Sequence, residues 1–159
     1  MDLSILITPA GMDAIQRRIQ ELMNERPEVI EAVAIAREFG DLSENAEYKA
    51  ARERQRQIDG EIDHLRRRAA RLKVIDPTAI PKDKVRFGSV CHTRDLHSGE
   101  EIVFQVVGVD ELNYFTHQEI QPVSVLSPIG KALLGCQAEE VALVRAPIGN
   151  RELQILKIS

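Results

Sequence analysis

The chain of 159 residues has no tryptophan, and aromatic residues make up only 4% of it. That scarcity argues against a large aromatic core and against a stacking surface for nucleobases. There are two cysteines, Cys91 and Cys136, far apart in the sequence and in no metal or redox spacing. They read as free thiols in a reducing compartment. Basic residues are not in excess. Twenty-one Lys and Arg stand against 25 Asp and Glu, for a net charge of −4, and the pI of 5.6 argues against a general nucleic-acid binder. No apolar run approaches a membrane span, and MDLSILITPAG lacks the basic start and the long apolar stretch of a secretory leader. A soluble cytoplasmic protein is the expectation. The hydrophobic share of 43% is enough for a core, and the length suits one compact domain or two small ones.

The first half is built on a heptad. Met12, Ile15, Ile19, Leu22, Arg26, Val29, Val33 and Ala36 follow one another at alternating steps of three and four. Arg26 alone breaks the apolar rule, and a long Arg can snorkel out of a seam. Thr8 and Pro9 read as an N-cap followed by a first-turn proline. Pro27 lies inside the series and predicts a kink or short break near Asn24 to Arg26. A second series, Tyr48, Ala51, Gln55, Ile58, Ile62, Leu65, Ala69 and Leu72, is as regular. Two such series joined around Gly40 predict an antiparallel helical hairpin with a coiled-coil seam. Its tip is Phe39 to Asn45.

VIDPTAIPKD carries two prolines and ends the helical pattern. Beyond it, KVRFGSVCHT, EEIVFQVVGV, EEVALVRA and RELQILKI are short, rich in β-branched residues and partly alternating. PIGN joins the last two as a hairpin turn. SPIGKALLG reads as a short helix with Ser127 as cap, Pro128 at the first position and Gly135 past the end. The fold class is therefore α+β in two domains: a hairpin stalk over 1–75 with its tip at 39–45, a linker over 76–83, and a small antiparallel sheet with a short helix over 84–159. His92, His97 and His117, with Cys91, match no zinc spacing.

Charge is uneven along the hairpin. The second arm, Lys49 to Lys73, has nine basic residues against four acids, and the first, Met12 to Glu38, has four against six. Ion pairing between the arms would explain this. So would a basic strip near the tip, formed by Arg37, Lys49, Arg52 and Arg56, that meets a phosphate backbone.

The tip poses a sharper choice. Asp41 and Glu44 stand three apart and could form a capping box at the start of the second helix. Ser43 offers a rival cap that would leave both acids pointing outward. Exposed carboxylates suit Mg²⁺, which needs only one or two of them, but two acids on a turn cannot build a full metal site. They could complete one whose other ligands belong to a partner.

GDLSENAEYKAARE, together with the ITPAG start, RPEVIEAVAIAREF, the KVIDP linker, VRFGSV, SPIGKALLG and the ILKI ending, resembles the Gre-type transcript cleavage factors (GreA and GreB) of bacterial RNA polymerase over nearly the whole chain. NAEYKAARE sits closer to the GreA branch. The resemblance implies an FKBP-like second domain and a stalk that enters the secondary channel of RNA polymerase. There Asp41 and Glu44 would help hold a Mg²⁺ shared with the polymerase, present only in the complex, while Ser43 assists more weakly. Alone, the chain would need no cofactor and would not be an enzyme; it would activate the polymerase's own cleavage of backtracked RNA. Arg37, Arg52, Lys49 and Arg56 would contact the extruded RNA 3′ end. Ser127 and Pro128 would grip the polymerase, with Leu126 where the family often has Asn or Asp. Leu42 and Tyr48 match the family pattern, and Glu47 reads as a surface acid. The resemblance implies a monomer with no membrane partner.

Two other classes compete. A channel binder that inhibits rather than cleaves would be favoured by loss of either tip acid, and both are present. A chaperone tip should be apolar, and a prolyl isomerase needs an aromatic-lined pocket, for which the second half offers only Phe87, Phe104, Tyr114 and Phe115.

Overall fold

The computed structural model describes residues 2–40, 45–115 and 119–159. The chain divides into two units, Asp13–Arg71 and Met1–Met12 with Leu72–Ser159.

The first unit is the helical hairpin. Helix α1 covers Pro9–Arg37 and α2 covers Ala46–Arg71. The heptad positions form the seam: Ile15, Ile19, Leu22, Val29, Val33 and Ala36 of α1 are buried, as are Ile58 and Ile62 of α2. Leu22, Val29, Ile58 and Ile62 make one cluster, with Leu65 packed against it. Off-seam Met23, Ile30 and Ile35 stay 40–49% exposed. Arg26 does leave the seam, and its Nε meets Asp59 Oδ1 at 2.6 Å. The break expected at Pro27 is absent, since α1 runs through it without interruption. Buried Leu22 and Val29 on either side, with Glu25 and Arg26 both paired to α2, hold the backbone helical across the one missing donor.

The second unit is built on a sheet. Strand β1 (Leu6–Ile7) pairs in parallel with β2 (Lys73–Val74). A five-stranded sheet follows from β3 (Val90–Asp95), β4 (Glu101–Val107), β5 (Ile120–Ser124), β6 (Val141–Ala146) and β7 (Gly149–Ile158), in the order β5-β4-β3-β7-β6. The β6–β7 hairpin turns through Pro147 and Ile148, with Ala146 paired to Gly149, as PIGN predicts. Helix α3 (Pro128–Leu133) starts from Ser127, whose hydroxyl accepts the Gly130 N–H.

Three expectations need correction. The sheet is mixed rather than antiparallel, because β4 and β5 run parallel. Strand β5 is not among the strands the sequence predicts: it contains Pro122, which lacks a donor and is tolerated only because β5 is an edge. The stalk does not take all of 1–75. Leu6 belongs to the core cluster of the sheet unit beside Phe104, Val106 and Leu153, so the first dozen residues and those from Leu72 onward group with that unit.

A buried carboxylate fixes this grouping. Glu111 is fully buried and accepts the Thr8 N–H at 2.9 Å and the Gly108 N–H at 2.8 Å. The Thr8 hydroxyl donates to its other oxygen and accepts the Gly11 N–H at 3.1 Å, which makes Thr8 the expected N-cap of α1. Gly11 is required here, because a Cβ would stand 2.5 Å from the Glu111 carboxylate.

Candidate functional site

The tip is framed by two helix ends. Past Arg37, α1 unwinds through Glu38 N–H to Ile35 O (3.1 Å) and Phe39 N–H to Ala36 O (3.3 Å). Gly40 follows at φ +97°, a left-handed conformation that closes a helix and that glycine adopts without strain. On the far side, α2 begins at Ala46 with Asn45 as its cap: Asn45 Oδ1 accepts the Tyr48 N–H at 3.0 Å, and Asn45 O accepts the Lys49 N–H at 3.1 Å. The cap expected of Asp41 or Ser43 is thus supplied by Asn45. The reason is geometric: with the first helical residue at Ala46, the side chain that reaches the N–H of the third helical residue, Tyr48, is that of Asn45. Asn45 also turns back, donating from Nδ2 to Ala36 O at 2.8 Å. Asp41, Leu42, Ser43 and Glu44 lie outside the described residues, as does His117.

The proposed basic strip is described. Arg37 lies over the Tyr48 ring, 5.7 Å from its centroid, at a distance suited to a cation–π contact. Lys49, Arg52 and Arg56 recur at three and four along one face of α2. Arg56 meets Glu53 within its own helix at 3.6 Å, and both side chains are well exposed. Arg52 reaches Gln55, at 3.4 Å. Among the described residues, Arg37, Lys49 and Arg52 form no ion pair. Pairing between the arms does not explain the charge bias either. Of the three inter-arm ion pairs among the described residues, only Glu25–Arg54 joins a first-arm acid to a second-arm base. Arg18–Glu61 and Arg26–Asp59 run the other way. Glu47 is an exposed acid in the first turn of α2, where it complements the helix dipole. Phe39 is 69% exposed.

In the sheet unit, Leu126 is 40% exposed. The Ser127 hydroxyl is committed to structure, donating to Ser124 O at 2.7 Å while it caps α3, with Pro128 at the first helical position. Beside them lies an apolar cavity of about 320 Å³, lined by Leu112, Pro122, Val123, Pro128, Ile129 and Ala146 among others. Among the described residues, no aromatic side chain lines it. Phe87 and Phe104 are buried in the core instead, which counts against an isomerase pocket. Cys91 is fully buried, and burial pushes its thiol up to about 12, so it stays protonated and unreactive. Burial raises Cys136 as well. No helix among the described residues is long and apolar enough to cross a membrane.

The comparison with known proteins decides the family. The profile described as transcription elongation factor, N-terminal, GreA_GreB_N, matches residues 5–74. That of transcription elongation factor, GreA/GreB, C-term, matches residues 80–159. The chain belongs to the GreA/GreB family of transcription elongation factors. Similar curated relatives include transcription elongation factor GreA of Trichlorobacter lovleyi, 40% identical over 99% of this chain and 98% of its own length. GreA of Thermodesulfovibrio yellowstonii is 41% identical over 98% and 96%, and GreA of Methylococcus capsulatus 42% identical over 96% and 95%. Among solved structures, GreA factor homolog 1 (Gfh1) of Thermus thermophilus aligns over 98% of this chain and 99% of its own at 26% identity and a TM-score of 0.43. The two family profiles leave residues 75–79 unmatched between them.

Proposed function

We propose that this chain is a GreA-like elongation factor that binds RNA polymerase through its secondary channel, as a monomer in the cytoplasm, and stimulates the polymerase's own cleavage of backtracked nascent RNA. It is an accessory factor rather than a nuclease. Asp41 and Glu44 are the donors. Two carboxylates fit Mg²⁺ as a partial set, because that ion takes few protein oxygens and keeps its other positions for water or phosphate. A Mg²⁺ shared with the polymerase would supply activation of the attacking oxygen and stabilisation of the leaving one. Ser43 lies between the two acids in the sequence and assists by hydrogen bonding. Arg37, Lys49, Arg52 and Arg56 attract the phosphates of the extruded 3′ end. Leu126 and Pro128 offer contact surface to the polymerase beside Ser127.

The observation that carries this reading is Asn45. It caps α2 and bonds back to Ala36 O, so the second helix does not need Asp41 or Glu44 as its cap. Their charge is then available to a partner.

A stalled, backtracked elongation complex with end-labelled RNA tests it. Wild-type protein is expected to accelerate cleavage. Asp41→Ala and Glu44→Ala are expected to bind as well but to lose most of the acceleration, on the order of 10²-fold, with partial rescue at high Mg²⁺. A wild type that binds yet leaves cleavage unchanged overturns the proposal and identifies a channel-blocking regulator.

A further inference from the structure

The carboxamide of Asn45 does two things at once. Its oxygen accepts the Tyr48 N–H in the first turn of α2, and its nitrogen donates to Ala36 O in the last turn of α1. Capping needs only the oxygen. The second bond spans the hairpin from residue 45 to residue 36 and gives the Ala36 carbonyl, which also accepts the Phe39 N–H at 3.3 Å, a shorter partner across the hairpin. Ala36 is itself a buried seam residue, 3% exposed, so its carbonyl is a fixed anchor rather than a frayed end. Arg37, stacked over Tyr48 at 5.7 Å, ties the same two turns together from the side. The last turn of α1 and the first turn of α2 are therefore joined by one amide side chain and one cation–π contact.

We propose that Asn45 is a positioning residue for transcript cleavage: by clamping Ala36 O to the start of α2, it fixes the two ends of the segment that carries Asp41 and Glu44. This rests on the function proposed above. Holding reacting groups in place is worth large factors in rate, and a displacement of about 1 Å can cost 10²-fold. A side chain that only caps would not show that sensitivity.

The two roles separate by substitution. Ser and Asp cap helices about as well as Asn. Serine is too short to reach Ala36 O, and aspartate would set a carboxylate oxygen against that carbonyl. Asn45→Ser is the main variant and Asn45→Asp the second. Circular dichroism should match wild type for both, and melting should fall only slightly, since the cap is kept and one bond is lost. In the backtracked-complex assay, the cleavage rate at saturating factor should fall about 10- to 100-fold for both. The factor concentration giving half-maximal effect should stay the same, and the Mg²⁺ requirement should rise.

Asn45→Ser with wild-type maximal rate overturns the proposal, whatever Asn45→Asp does. A loss seen only as a higher half-saturating concentration also overturns it, because that assigns Asn45 to binding. An inert wild type would instead sink the function of the preceding section. The clamp is then judged by ¹⁵N relaxation of the Phe39 and Gly40 amides in the free protein. Added motion in Asn45→Ser supports the clamp, and unchanged relaxation overturns it.

Discussion

The hairpin and the sheet unit bury their apolar residues in opposite ways. In the hairpin, the buried side chains follow one another at three or four residues on the same helix, apart from the seven-residue step across Arg26, and no aromatic is among them: Ile15, Ile19, Leu22, Val29, Val33, Ala36, Ile58 and Ile62. The seam is flanked by ion pairs partly open to solvent. In the sheet unit, thirteen buried residues form one cluster around Phe104, drawn from strands far apart in sequence, with Thr93 of β3 set opposite Ile155 of β7. One region is held by contacts repeated along two helices, and the other by a single cluster that only the complete topology brings together. The hairpin should therefore lose stability in small steps along its length, and the sheet unit in one large step.

Phe104→Ala tests the second half of that contrast and has the largest expected effect. Phe104 is fully buried at the centre of the cluster, and truncation should cost about 3–5 kcal/mol. Amide exchange across β3 and β4 should rise while the amides of α1 and α2 near Leu22 and Ile58 keep their protection. Equal loss of protection in both units would break the comparison. Leu22→Ala is the counterpart in the hairpin. Leu22 is also fully buried, yet the expected cost is about 2–3 kcal/mol, the low end for a core leucine, because a narrow seam can close around the gap. Calorimetry checks it, and a cost equal to that of Phe104→Ala would show the seam to be packed as tightly as the sheet core.

The same contrast decides what the sequence could show. Every seam position was readable, because a heptad places its neighbours within one segment. Arg26 was readable too, as the exception that leaves the seam for Asp59. The short helix α3 announced itself through Ser127 and Pro128. What failed depended on partners far along the chain. Leu6–Ile7 is a two-residue strand with no period of its own, and only Val74, Phe104 and the rest of the sheet unit reveal where it belongs. Strand β5 carries a proline that local rules count against a strand. Glu111 gave no sign of burial, since a carboxylate is ordinarily a surface residue. At the tip, the motif made Asp41 and Glu44 visible as a pair, but two good caps so close in sequence concealed the third. Asn45 is the weaker local signal beside the acids that precede it.

Glu111 sharpens the comparison with a smaller effect. Glu111→Ala would leave the Thr8 and Gly108 N–H groups without their buried acceptor, at about 1–3 kcal/mol. Glu111→Gln should cost less and change the pH profile. Burial is the main force raising the Glu111 carboxyl above its ordinary range, against the hydrogen bonds from Thr8 and Gly108 that pull it down. The folded chain thus holds a proton that the unfolded chain releases. This group's contribution is most favourable below the ordinary carboxylate range and falls as pH rises through the raised value. Asp95 has the opposite sign. Backbone N–H groups of Ser98 and His97 hold it below the ordinary range, with help from Arg151. Its contribution is present above that range and is lost as pH falls through the lowered value. Subtracting urea midpoints of Glu111→Gln from those of wild type across acid to neutral pH isolates the first term. A flat difference would show that Glu111 keeps an ordinary carboxyl.

The smallest effect is expected at Arg26, where the hairpin departs from its own rule. The pair with Asp59 is short, at 2.6 Å, but both side chains are 43% exposed. Solvent therefore screens the attraction, and two long side chains lose freedom to make it. Arg26→Leu would remove the pair, leave Asp59 hydrated rather than stranded, and add an apolar group to the seam between Leu22 and Val29. The melting temperature should stay the same or rise slightly, and any fall in stability between low and high salt that wild type shows should shrink. A clear loss of stability in Arg26→Leu at high salt would sink this account. Screening would then have removed the Coulombic share already, and the remaining loss would have to come from packing of the Arg26 stem within the seam, making position 26 a working member of the heptad rather than its gap.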